Sequence, residues 1–148
     1  MKDLIFCDSL SECLQRIENE CLKMPTLENC GFLGYNPRHK SFVVAICDNK
    51  CNKPHESFLI SPYDHLDFLI RNKIIAVYHN HLKESTPSAY DNLGCRNTCL
   101  PYLIYGAGDN NFSLILPKIL DKKSSYLKGI KDLKSIIIHD YEQGKVYR

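Results

Sequence analysis

No stretch of this chain is apolar for long enough to cross a bilayer. The longest apolar segments, Phe42 to Cys47 and Lys73 to Tyr78, fall far short of the roughly 20 residues a spanning helix needs. The N-terminal MKDLIFCDSL has no apolar run of signal-peptide length and carries Asp3 and Asp8 early. The expected setting is therefore the cytoplasm, with no membrane partner. Charge of one sign is also lacking: 19 Lys and Arg face 17 Asp and Glu, a formal charge of +2. Only residues 118–134 lean basic, and they read as a solvated helix surface, so no nucleic-acid partner is expected. Internal repeats, low-complexity tracts and Gly/Ser linkers are absent. What is there is a chain of 148 residues with 44% apolar and 24% charged content. That composition is ordinary for a globular protein, and the length suits one compact domain better than two.

Cysteine is the abundant exception, with eight residues. A disulfide framework would suit a short exported chain, and nothing here signals export. Cys47 and Cys51, and Cys95 and Cys99, form two C-x3-C pairs, which makes a structural zinc conceivable, although C-x2-C knuckles are the usual form. The default for Cys7, Cys13, Cys21 and most others is a small buried hydrophobe.

Along the chain, residues 8–23 read as an amphipathic helix with Asp8 or Ser9 as N-cap, ended by Pro25. Strands are predicted over 30–35 and 41–47, joined by the turn at 36–40. A strand over 57–60 leads to a helix capped by Ser61, with Pro62 at its first position and Leu66, Leu69 and Ile70 on one face. The apolar run 73–78 suits a strand buried on both faces. Ser88 then caps a helix that ends before Pro101. Strands over 102–105 and 112–116 flank a turn at 106–110, and a last helix spans roughly 124–141. The pattern is mixed α and β, α/β in the broad sense, around one central sheet flanked by helices.

The chemistry lies at the end of the buried strand. Residues i and i+2 of an extended chain share a face, so His79 and His81 can converge on one ion. Asp91, one turn into the next helix, can add a carboxylate oxygen. Two imidazoles and one carboxylate are a regular ligand set for catalytic zinc, leaving a position for water. Glu28, beside a predicted strand, is the candidate general base. Each residue alone has a bland reading: H-x-H pairs are often ordinary histidines, Asp91 suits a first helical turn, and Ser88 suits a cap. The joint pattern raises the functional reading.

The segment Glu28-Asn29-Cys30-Gly31-Phe32-Leu33-Gly34 resembles the E-x-C-G-x-L stretch of JAMM (MPN) metallopeptidases, and His79-x-His81 with Ser88-x-x-Asp91 resembles their H-x-H…S-x-x-D signature. The resemblance implies a cytidine-deaminase-like JAMM fold over residues 1–117. It implies a single Zn2+ held by His79, His81 and Asp91, and hydrolysis of a peptide or isopeptide bond by metal-activated water, with Glu28 as base. Ser88 would stabilise the oxyanion, while Cys30 and Gly31 would be packing residues. Residues 58–62, Cys95 and 100–104 are similar to the JAMM domain of lambda-type phage tail-tip assembly proteins, which implies a protein substrate or tail-tip partners, in the host cytoplasm or in a virion tail tip. Residues 118–148 form a C-terminal helical tail; Gly129-Ile130-Lys131-Asp132 and Asp140-Tyr141 resemble the start of the NlpC-type domain that follows in those proteins, with Leu133 where its cysteine would stand. Two alternatives share the resemblance, a bacterial isopeptidase acting on ubiquitin-like conjugates and a non-catalytic scaffold. The pattern departs from the family in two places: Leu82 replaces the usual Pro, and residues 82–87 form a loop one residue short, which puts the reach of Asp91 in question.

Overall fold

The apolar runs form strands and the amphipathic segments cover them. In a computed structural model, residues 1–137, 139–142 and 145–147 are described. The strands are β1 (Asp3–Cys7), β2 (Cys30–Asn36), β3 (Ser41–Cys47), β4 (Lys73–His81), β5 (Tyr102–Gly106), β6 (Asn111–Leu116), β7 (His139–Glu142) and β8 (Lys145–Tyr147). They build one mixed sheet in the order β1-β3-β2-β4-β5-β6-β7-β8. The β4–β5 and β6–β7 pairs are parallel and the rest antiparallel. The helices are α1 (Leu10–Lys23), α2 (Pro62–Arg71), α3 (Ala89–Thr98) and α4 (Leu127–Ile136).

Two hydrophobic layers fill the faces of the sheet. On one, Cys13, Ile17 and Cys21 of α1 and Ile130 and Leu133 of α4 meet Leu33, Val44, Ile75 and Tyr78. On the other, Phe68 of α2 and Cys95 of α3 meet Phe32, Ala45, Val77, Tyr102 and Ile104. Apart from the exposed Lys73 at its start, β4 is covered on both faces, from Ile74 to Asn80, as its continuous apolar run predicts. Gly31 lets this layer close: a Cβ there would lie 2.5 Å from the Tyr78 ring and collide with the Ala45 carbonyl.

Several expectations need correction. Residues 57–60 are not a strand. The side chain of Asn49 takes the Ser57 carbonyl (2.9 Å) and the Leu59 N–H (3.0 Å), and Lys50 N–H donates to the Leu59 carbonyl (2.8 Å), so no strand pairs there. Helix α2 is turned from its predicted face, with Leu66 and Ile70 61% and 75% exposed and Phe68 fully buried. The larger aromatic wins the core because Gly34 leaves room for its ring, which stacks on Phe32 at 5.1 Å. The last helix is shorter than 124–141. Ser124 and Tyr126 bond the backbone of Ile74 instead (2.8 Å each), and the β-branched Ile136-Ile137 marks its end before β7. Neither β1 nor the β7–β8 pair is foreshadowed by a strong pattern. All eight cysteines are free and six are buried. Among the described residues they form no ligand cluster, so the C-x3-C pairs do not assemble a second zinc site. Burial pushes the Cys95 thiol up to about 12, and it donates to the Leu100 carbonyl at 3.2 Å as a protonated core group. Among the described residues no helix is long and apolar enough to cross a membrane.

Candidate metal centre

His79 and His81 leave the same face of β4, and their Nε2 atoms lie 3.3 Å apart. Asp91 bridges them. Its Oδ1 is 2.8 Å from His79 Nε2 and its Oδ2 is 2.9 Å from His81 Nε2. Helix α3 aims this carboxylate through a capping box: Ser88 Oγ accepts from Asp91 N–H at 3.2 Å, and Asp91 Oδ2 accepts from Ser88 N–H at 2.8 Å. The shortened loop therefore does not misplace Asp91. It is pinned to the β5–β6 turn, where Gly108 N–H donates to Lys83 O (2.6 Å), Ala107 N–H to His81 O (3.0 Å) and Ser85 N–H to Asp109 Oδ2 (3.2 Å).

Glu28 reaches the pair from the chain entering β2. One ligand atom each of Glu28, His79 and His81 falls within 4.8 Å of the others. Among the described residues no hydrogen bond ties down its carboxylate; its backbone is held instead. Glu28 N–H donates to Pro54 O (2.8 Å), and its carbonyl accepts from Asn49 Nδ2 (2.8 Å). The flanking peptides are clamped by the fully buried Asn80, which donates to Leu27 O (3.0 Å) and accepts from Asn29 N–H (2.6 Å). Asn80 and Asn49 are the site-building residues that sequence reading missed. Asn80 sits between the two histidines, so strand alternation turns it to the opposite face, toward the Glu28 segment. Asn49 carries no sequence signal.

The environments push the charged groups apart. Burial alone would raise Asp91, but hydrogen bonds from both imidazoles and from Ser88 N–H hold it well below the usual carboxylate range. Burial pushes Glu28 up to about 7, with the nearby Asp91 charge adding and His81 opposing. Burial lowers His79, which stacks on Phe58 at 4.3 Å and meets the edge of Tyr102 at 5.9 Å. Burial also acts to lower His81, but the Asp91 and Glu28 carboxylates and the Glu84 carbonyl outweigh it and raise the group. His81 Nδ1 lies 3.0 Å from that carbonyl, a contact that fits Nδ1–H as donor and leaves Nε2 for the cluster. His79 Nδ1 is buried without a hydrogen-bond partner among the described residues.

The donor set fits a divalent metal. The two Nε2 atoms lie 3.3 Å apart, beyond the usual range of a hydrogen bond between them. That separation is close to the edge of a zinc tetrahedron with Zn–N near 2.0–2.1 Å, about 3.3–3.4 Å. The cluster opens into a cavity of about 510 Å3 that Glu28, His81, Ser88 and Asp91 all line. No family model and no curated protein sequence matches this chain.

Proposed function

We propose that the chain is a zinc-dependent peptidase of the JAMM type, with His79, His81 and Asp91 holding the metal and Glu28 and Ser88 acting on the substrate. The observation that carries this reading is the meeting of two Nε2 atoms with one anchored carboxylate, 2.8–3.3 Å apart, beside a second carboxylate without a protein hydrogen bond. When bound, zinc supplies a Lewis acid that acidifies water and polarises the scissile carbonyl.

The two carboxylates divide the work by environment. Asp91 accepts from Ser88 N–H, lies 2.8–2.9 Å from both imidazole Nε2 atoms and is held anionic, which suits a ligand. Glu28, pushed up toward neutrality, suits the group that takes a proton from the attacking water and passes it to the leaving nitrogen. The Ser88 hydroxyl oxygen already accepts from Asp91 N–H, so its own proton is available to the charge developing on the carbonyl oxygen. What supports a tail-tip setting is the likeness of residues 58–62, Cys95 and 100–104 to those assembly proteins; eight free thiols support a reducing compartment.

The test combines metal analysis with a proteome-derived peptide library, new termini being read by mass spectrometry. Zinc-loaded protein is expected to cut the library, and Glu28→Gln to keep its zinc and cut at least about a hundredfold more slowly. Full cleavage by Glu28→Gln would remove Glu28 from the reaction.

A further inference from the structure

We infer that the site is built for an internal peptide bond next to a large apolar side chain, leucine or phenylalanine in type, rather than for an acidic residue or a free C-terminus. The inference rests on the peptidase reading for the bond that is cut, and on the cavity alone for the side chain held.

The cavity beside the two histidines is lined by apolar and acidic side chains. Phe32, Phe58, Val77, Leu100 and Tyr102 line its depth. At the rim stand Leu59, Tyr90 and Leu93, which are 56%, 80% and 48% exposed. Apolar side chains left in water around a concave, apolar-lined pocket mark a binding surface. A volume of about 510 Å3 accepts a branched or aromatic side chain together with the peptide that carries it.

Charge sets the other half of the specificity. Among the described residues, the carboxylates lining the cavity are Glu28, Glu56 and Asp91, and no lysine or arginine lines it. A substrate carboxylate, from an acidic side chain or a chain terminus, would be desolvated there with no lysine or arginine to meet it and no cation beyond the metal site, which the reacting carbonyl would occupy. A C-terminal trimming enzyme needs such a cation, so this cavity suits a cut within a chain. Room for that chain continues past Glu56, Ser57, Leu59 and Tyr90, which are shared with a second cavity of about 480 Å3.

The first arm of the test reads binding. Zinc-loaded Glu28→Gln is titrated by NMR with capped pentapeptides, Ac-Gly-Gly-Xaa-Gly-Gly-NH2, with Xaa as Leu, Phe or Asp. Leu and Phe are expected to bind at least about tenfold tighter than Asp, with the Leu59 and Leu93 amides shifting. Adding Leu93→Glu, at a position 48% exposed, should remove most of that preference. Equal binding of Leu and Asp peptides, or an unchanged preference in the Leu93→Glu protein, overturns the proposal. The second arm reads cleavage of the peptide library by the wild-type protein. Large apolar residues should flank the cut bonds; cuts clustered beside Asp or Glu overturn the proposal. If the library stays intact while the binding preference holds, hydrolysis is the part that falls and the apolar specificity stands.

Discussion

Two carboxylates facing the same histidine pair differ because of what each touches. Asp91 faces both imidazoles and Ser88 N–H, which lower it, whereas among the described residues no hydrogen bond holds the Glu28 carboxylate and burial raises it. The consequence for stability can be signed. Folding raises Glu28 to about 7, so the folded state favours its protonated form. Stability from this group is fully present below its unfolded pKa and is lost as pH rises through about 7. The metal-free Glu28→Gln protein should therefore match wild type near pH 4 and exceed it near pH 8, by at most about 3 kcal/mol. Urea unfolding at both pH values checks this; equal stability at pH 8 would contradict it. Asn80→Ala should cost about 1–3 kcal/mol, because the buried Leu27 carbonyl and Asn29 N–H lose their partner. Denaturant midpoints measure that directly. The meeting of His79, His81, Asp91 and Glu28 was legible because imidazoles and carboxylates at strand and helix-start spacing are few. Asn49 and Asn80 were not, since an asparagine that clamps backbone is spelled like any asparagine in a loop or strand.

At the scale of elements, the short loop 82–87 holds its position through the β5–β6 turn. Two glycines allow that contact: a Cβ on Gly106 would lie 2.8 Å from the Glu84 carbonyl carbon, and one on Gly108 would lie 2.7 Å from the Lys83 carbonyl oxygen. Gly108→Ala should push the loop away and loosen His81 and Asp91 together. Zinc affinity, read by competition with a chromophoric chelator, is expected to fall about 10–100-fold; an unchanged affinity would show that the turn does not support the site. The Gly106–Asn110 turn was visible in the sequence as a hairpin signal, but its grip on a distant loop is a tertiary fact. Segment 57–60 and helix α2 fail for a similar reason. A strand is expected over 57–60, where Asn49 supplies the backbone partners, and the expected face of Leu66, Leu69 and Ile70 passes over Phe68, which only the space above Gly34 decides.

For the whole molecule, helices on both faces of one sheet make β4 the central support of the site. Five of the six strands β1–β6 were readable from apolar runs between turn residues, as were three of the four helices in their main extent. Strand order, the parallel β4–β5 pairing and the edge strands were not, because they depend on long-range pairing. Phe68 illustrates the coupling: fully buried beneath the site, its loss to Ala should cost about 3–5 kcal/mol in thermal or chemical unfolding. Asp91, rather than Glu28, is proposed to hold a metal together with His79 and His81. Zinc content after loading and gel filtration tests this most directly. Wild type and Glu28→Gln should each retain about one equivalent per chain, and His79→Ala and Asp91→Ala close to none. Loss of zinc from Glu28→Gln with retention in Asp91→Ala, or no zinc in the wild type, would contradict it.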